Sequence, residues 1–228
     1  MKKKNTAFKS QSRTHYHLFP VFCAVLLLMV QSVFSQANES FSPVNNSSVI
    51  NNKVAQNSAD MQTLQADFVQ EKHMDFLQMD IISKGKFWFR KENQLRWQYT
   101  NPYAYTIVIN NGKISIDDEG RESEFNVDGN KIFEQVNNII VTAVSGNIMD
   151  DNQYKTTVLE NDNFYKIILN PKNSDVQQVI KEMQLFLGKS TLQIEQVKMI
   201  EPTDDYTLIS FKNQIINEPI SAGTFTLD

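Results

Sequence analysis

From Leu64 onward the apolar residues of this chain recur at every second position in short runs, and no other feature constrains its fold so tightly. Leu64, Ala66 and Phe68 point one way while Gln65, Asp67 and Val69 point the other, as in a half-buried strand. Runs of strand length then follow one another over 79–90, 94–100, 105–109, 113–117, 122–127, 154–160, 164–170, 183–188, 192–200, 206–213 and 224–227. Asn110-Asn111-Gly112-Lys113 is a tight-turn signal between two of them. Only seven glycines are available to break these runs, so about eleven strands must form a long antiparallel sheet that curls or closes.

Two segments depart from the period of two. Ile50, Val54 and Met61 share one helical face and predict a first helix. Between Asn130 and Gly146, the residues Ile132, Phe133, Val136, Ile139, Ile140, Ala143 and Val144 recur at helical spacing and predict an amphipathic helix inserted between strands. By pattern alone this second helix is either ordinary core packed on the sheet or a movable cover over a cavity. Helices that fill the concave side of a curled sheet make the expected class mainly β (α+β).

The N-terminus reads as an export signal spanning 1–35. A basic start precedes an apolar run from Leu18 to Val30, and Val33-Phe34-Ser35 offers a cleavage site near Ser35. The lone cysteine, Cys23, lies inside that run after bulky Phe22, a poor lipidation site, so the mature chain of 193 residues has no thiol and no disulfide. Cleavage removes five of the 22 Lys+Arg and none of the 26 Asp+Glu, leaving a net charge of −9 that makes nucleic acid an unsuitable partner. Residues 36–47, rich in Ser and Asn, read as a flexible leader, and 48–228 as one domain.

The stretch GKFWFRKENQLRWQYTNP, residues 85–102, holds five aromatic and four cationic residues, including both tryptophans. Leu95, Trp97 and Tyr99 alternate with polar neighbours, so one face of that strand is unusually apolar. In the strand before it, Phe87, Trp88 and Phe89 put aromatics on both faces, and the pattern leaves open which face turns inward.

The order Phe68-x-Gln70, Gly85-x-Phe87-Trp88, Arg96-Trp97-x-Tyr99-x-x-Pro102 and Asn111-Gly112-Lys113 resembles the periplasmic outer-membrane lipoprotein carrier proteins, the LolA family. The resemblance extends from about Val49 to the end and is richest in motifs over 64–116. It implies an unclosed half-barrel whose helices, 131–144 among them, act as a lid. It also implies an apolar cavity for lipoprotein acyl chains, in which Phe68, Phe87, Trp88, Phe89, Leu95, Trp97 and Tyr99 are the expected lining. The implied partners are an inner-membrane lipoprotein-releasing transporter and an outer-membrane acceptor, with the protein itself a monomer in the periplasm of a Gram-negative bacterium.

In well-known members the turn after the Trp strand carries Lys-Arg-Pro, and the arginine is thought to latch the lid. Here the turn reads Arg90-Lys91-Glu92, which places Lys91 at the arginine position and Glu92 at the proline position. Arg90 is the alternative latch, one residue earlier, and alternation aims it at the opposite face. Either residue is otherwise a solvated strand-end charge.

Nothing in the sequence assembles a metal site, a cofactor site or a catalytic group. His73 is the only histidine outside the signal, and Asp117-Asp118-Glu119, Asp150-Asp151 and Asp204-Asp205 fall in predicted turns. The leading expectation is therefore a lipoprotein carrier. A half-barrel sensor or interaction protein of the envelope is the alternative, and an enzyme is a distant third.

Overall fold

The computed structural model describes residues 40–77, 79–91, 93–126 and 153–227. Twelve strands join there into one antiparallel sheet. They are β1 (Ser42–Pro43), β2 (Thr63–Met74), β3 (Met79–Arg90), β4 (Gln94–Asn101), β5 (Tyr105–Asn110), β6 (Lys113–Asp118), β7 (Arg121–Asn126), β8 (Tyr154–Glu160), β9 (Phe164–Pro171), β10 (Glu182–Gly188), β11 (Ile194–Ile200) and β12 (Tyr206–Ile216). Helix α1 spans Ser47–Ala59 and a single-turn helix α2 spans Ser174–Gln177.

The strands lie in the order β1-β8-β9-β10-β11-β12-β2-β3-β4-β5-β6-β7. Among the described residues β1 and β7 are the edge strands, each paired on one side only, and the sheet is an unclosed half-barrel. Consecutive strands pair as hairpins from β2 to β7 and from β8 to β12, while β12 returns to lie beside β2 and β1 lies beside β8. The expected turn at Asn110–Lys113 is formed by Asn111 and Gly112 at φ 51° and 77°, the left-handed pair that a two-residue hairpin loop requires.

Pairing register puts one set of side chains on a common concave face. Its core has two parts. Ile50 and Val54 of α1 pack against Val158, Ile167, Leu169, Met183, Leu185 and Leu187 of β8–β10. Met61, just after the helix, joins the aromatic cluster on β2–β6. Of the helix face expected from Ile50, Val54 and Met61, the first two lie on α1 and Met61 lies beyond its last residue.

Three local expectations are corrected. The 224–227 run is not a strand: Ala222–Phe225 is a 3-10 turn laid on β4 and β5. Leu192 sits at φ 54° in the turn before β11, so that strand begins at Ile194. Ser42–Pro43, inside the stretch expected to be a leader, pairs with Leu159 and Glu160, because Phe41 packs edge-on against Phe186 at 6.0 Å and Val44 against the core. The proposed signal 1–35, Glu92 and the proposed lid residues Ile132, Phe133, Val136, Ile139, Ile140 and Ala143 lie outside the described residues.

At the β2–β3 hairpin, residues 79–83 have no partner on β4, and Phe76, Leu77, Met79, Ile81 and Ile82 are exposed. His73 Nδ1 and Asp80 Oδ1, 2.7 Å apart, clasp the hairpin below that tip. No helix among the described residues is long and apolar enough to cross a membrane.

Candidate functional site

Because side chains alternate across a strand, the register generates rows of neighbours on the concave face. One row runs Leu64, Phe89, Leu95, Ile109, Ile114, Phe125. The next runs Ala66, Phe87, Trp97, Ile107, Ile116. The third runs Phe211, Phe68, Gly85, Tyr99, Tyr105. Six of the seven expected lining residues are therefore brought together: Phe68, Phe87, Phe89, Leu95, Trp97 and Tyr99.

Trp88 is the exception and is corrected here. It pairs with Gln65 and Arg96 on the outer face, one position out of phase with Phe87 and Phe89. Phe211, Ile107, Ile109, Ile114, Ile116 and Phe125 join the inner cluster without having been singled out from the sequence. The recurrence of Ile107 with Ile109 and of Ile114 with Ile116 at two-residue spacing, flanking a readable turn, is the signal that could have found four of them.

The aromatic rings interlock at the centre. Phe68 lies 4.8 Å from Trp97 and 5.1 Å from Tyr99, and Phe87 lies 5.1 Å from Trp97 and 5.6 Å from Phe211. Phe68 fits there because Gly85 has no side chain: a Cβ at Gly85 would stand 2.7 Å from the Phe68 ring. Polar groups are sparse on this surface. The Tyr99 hydroxyl donates to Gln70 Oε1 at 2.9 Å.

Burial pushes the Tyr99 phenol up to about 12, opposed by its hydrogen bonds. Folding thus favours the neutral phenol, so the stability it contributes is complete below about pH 10 and is lost as pH rises through about 12. Urea midpoints measured across that window are expected to fall by the equivalent of about 2–3 kcal/mol from this group, and Tyr99→Phe is expected to flatten that slope.

The cations divide by face. Lys91 Nζ donates to the carbonyl of Ala59 at 2.9 Å, and Lys91 N donates to Gln62 O at 2.8 Å. Helix α1 carries no basic residue in its own last turn, so Lys91 supplies from another strand the positive charge that a helix C-terminus favours. Asn217 holds the same connection from the other side, accepting from Gln62 N at 2.7 Å and donating to Asp60 O at 3.1 Å.

Arg90 points to the outer face, as alternation requires, and is engaged there rather than at the helix. Its guanidinium donates to Ile220 O at 3.2 Å and lies 4.8 Å over the Phe225 ring. Arg96 donates to Thr224 O at 3.3 Å and Thr226 O at 3.0 Å, and Asn110 Nδ2 donates to Phe225 O at 3.0 Å. These side chains clamp residues 220–226 onto the outer side of β4 and β5, where Thr106 and Val108 are buried although they face away from the core.

An outer groove of about 650 Å³ lies beside this tail, lined by Asn110, Lys113, Ser115, Glu122, Glu124 and Phe225. Its charged walls do not suit an apolar ligand, and the aromatic face on the other side of the sheet is the stronger site. Among the described residues no group of His, Cys, Asp or Glu could hold a metal ion.

Comparison with known proteins bears on the same region. A structure described as a LolA superfamily protein from Nitrosomonas europaea is 8% identical, with 81% of this chain and 99% of that chain covered and a TM-score of 0.43. One described as a putative outer membrane lipoprotein-sorting protein domain from Vibrio parahaemolyticus is 7% identical over 78% and 94%, with a TM-score of 0.43. The MucA/MucB complex structure of Pseudomonas aeruginosa matches at 12% identity over 79% of this chain and 60% of that chain, with a TM-score of 0.48. No curated protein matches. The family described as outer membrane lipoprotein carrier protein LolA matches residues 59–228, which contain the whole aromatic face and the Lys91 turn, and the chain belongs to that family.

Proposed function

We propose that the protein is a periplasmic carrier: its signal is cleaved near Ser35, and it takes the acyl chains of lipoproteins from an inner-membrane releasing transporter to an outer-membrane acceptor. It performs no chemistry on its cargo. The physical need is large, since burial of acyl chains is worth ~0.8 kcal/mol per CH₂ and a sixteen-carbon chain therefore costs on the order of 12 kcal/mol to expose. The observation that carries the reading is the concave row-by-row aromatic face of β2–β6 in a member of this family. Broad rings contact mobile chains without imposing one conformation, which suits a carrier that must also surrender them.

In this reading the helices cover the face, and Lys91 is the latch, holding α1 by its C-terminal carbonyl. A single charged hydrogen bond of about 1.5–3 kcal/mol holds the cover without locking it. The experiment is displacement of an environment-sensitive dye from the mature protein by long-chain amphiphiles, followed by transfer of bound lipoprotein to acceptor membranes. Saturable displacement with transfer is expected. Displacement without transfer would make the protein a sensor of lipids, and a titration with no displacement would remove the carrier reading.

A further inference from the structure

Among the described residues the edge strands of the sheet are both guarded. β1 is two residues long and ends in Pro43, and β7 carries Arg121, Glu122 and Glu124. Brevity, proline and charge are the devices that keep an edge from recruiting a further strand. Another edge lies inside the sheet. β4 stops at Asn101, opposite Lys84, so residues 79–83 of β3 pair with β2 on one side and, among the described residues, with no backbone on the other. This edge is unguarded: Met79, Ile81 and Ile82 are exposed, and Asp80, its one charge, is drawn onto His73 Nδ1.

The direction of its backbone follows from the register. Thr100 Oγ1 donates to the Lys84 carbonyl at 3.3 Å, so that carbonyl turns toward β4. Alternation then turns the N–H and C=O of Asp80 and Ile82 to the same, open side, while those of Ile81 and Ser83 face β2. Side chains alternate as well. Met79 and Ile81 are in step with Gly85 and continue the concave face outward from Phe68 and Tyr99, whereas Ile82 stands on the outer face with His73 and Asp80.

An open ladder with apolar side chains on both of its faces fits a partner that brings main-chain donors and acceptors. The hydrocarbon of a bilayer brings neither, and unpaired backbone groups are costly there. An extended peptide brings both. It would lie in line with β4, about 4.8 Å from β3, with one end at Asn101 beside the Tyr99 row of the aromatic face.

We propose that residues 79–83 accept an extended peptide as an added strand, and that this peptide is the segment following the acylated residue of a cargo lipoprotein. The proposal rests on the carrier reading and deepens it: the acyl chains lie on the aromatic face and the polypeptide leaves along β3. Main-chain pairing reads no sequence, so one edge serves any polypeptide that bears the lipid, while Ile81 and Ile82 favour apolar residues at alternate positions.

The test uses an N-palmitoylated decapeptide of Ser, Thr and Val, the same molecule with its backbone nitrogens methylated, and N-methyl palmitamide, each displacing an environment-sensitive dye from the mature protein. The unmethylated lipopeptide is expected to displace at about tenfold lower concentration than the other two, the advantage of the added ladder bonds, and to slow hydrogen exchange at the Asp80 and Ile82 amides. Ile82→Pro removes a donor from the open side and leaves the β2 ladder intact. It is expected to reduce the advantage to about twofold, with displacement by N-methyl palmitamide unchanged. Should that variant fail to fold, the methylated peptide and the amide exchange of the unaltered protein decide. Equal displacement by all three, or an advantage without protection at Asp80 and Ile82, would overturn the added strand and leave the carrier reading intact. Protection of the same amides in cargo-free protein by dimerisation or by phosphatidylcholine vesicles would give the edge to a second copy or to a bilayer, and would overturn it too. Displacement by none of the three would instead sink the carrier reading.

Discussion

Gly85→Ala is expected to destabilise the protein by about 3 kcal/mol or more, at or beyond the upper end of ordinary overpacking in a core. The added Cβ would stand 2.0 Å from the carbonyl oxygen of Gln98 and 2.7 Å from Cε1 and Cζ of Phe68. The first contact is with backbone in the middle of the sheet, where β4 is paired on both sides. The second is with a ring wedged between Trp97 and Tyr99, so it cannot swing away. Both obstacles are fixed, and strand β3 must separate from β4 to admit a methyl group. Against a typical total of about 5–15 kcal/mol, such a loss removes much of the folded population. Trimming the ring in Gly85→Ala, Phe68→Leu should recover little, because the Gln98 contact remains. A urea midpoint for Gly85→Ala within error of the unaltered protein would show that the strands yield far more easily than this packing allows.

What the sequence revealed, and what it concealed, follows from how many sides of each strand are covered. Leu95, Trp97 and Tyr99 were legible as one face because the residues between them are polar, so burial on one side imposed the period. Phe87, Trp88 and Phe89 defeated the same reading because an aromatic also stands on the outer side of β3: the inner core takes the two phenylalanines, while Trp88 is half-buried on the outer face between Gln65 and Arg96. The tail itself, Thr224-Phe225-Thr226-Leu227, alternates like a strand, yet Arg96 and Asn110 take its carbonyls and leave no need for a ladder. Three of the four cations in the aromatic stretch are explained by that clamp, through Arg90 and Arg96, and by Lys91 at the end of α1. Lys91 was found by its place in the turn, whereas its partner, the Ala59 carbonyl, leaves no mark in a sequence because every residue has one.

Phe225→Ala is the second large effect expected, about 3–5 kcal/mol for truncating a fully buried phenylalanine. The ring is 1% exposed although it lies on the outer face of the sheet, because residues 222–225 press it onto β4 and β5. Losing it removes the apolar cover over β4 and β5, strands the Arg90 guanidinium that now lies 4.8 Å from the ring, and leaves the clamp holding the tail only by carbonyls. Those hydrogen bonds compete with water and cannot replace the buried area, so the segment after Asn217 should become open to protease while residues before it stay protected. Arg96→Ala should do the same more weakly, by about 1.5–3 kcal/mol, since it removes two charge-assisted bonds and leaves the ring in place. Because the tail and the aromatic face lie on opposite sides of the sheet, amphiphile affinity per folded molecule should not change in either variant. Loss of affinity at unchanged stability would mean that the tail acts on the concave face, and the division of labour between the two faces would have to be abandoned.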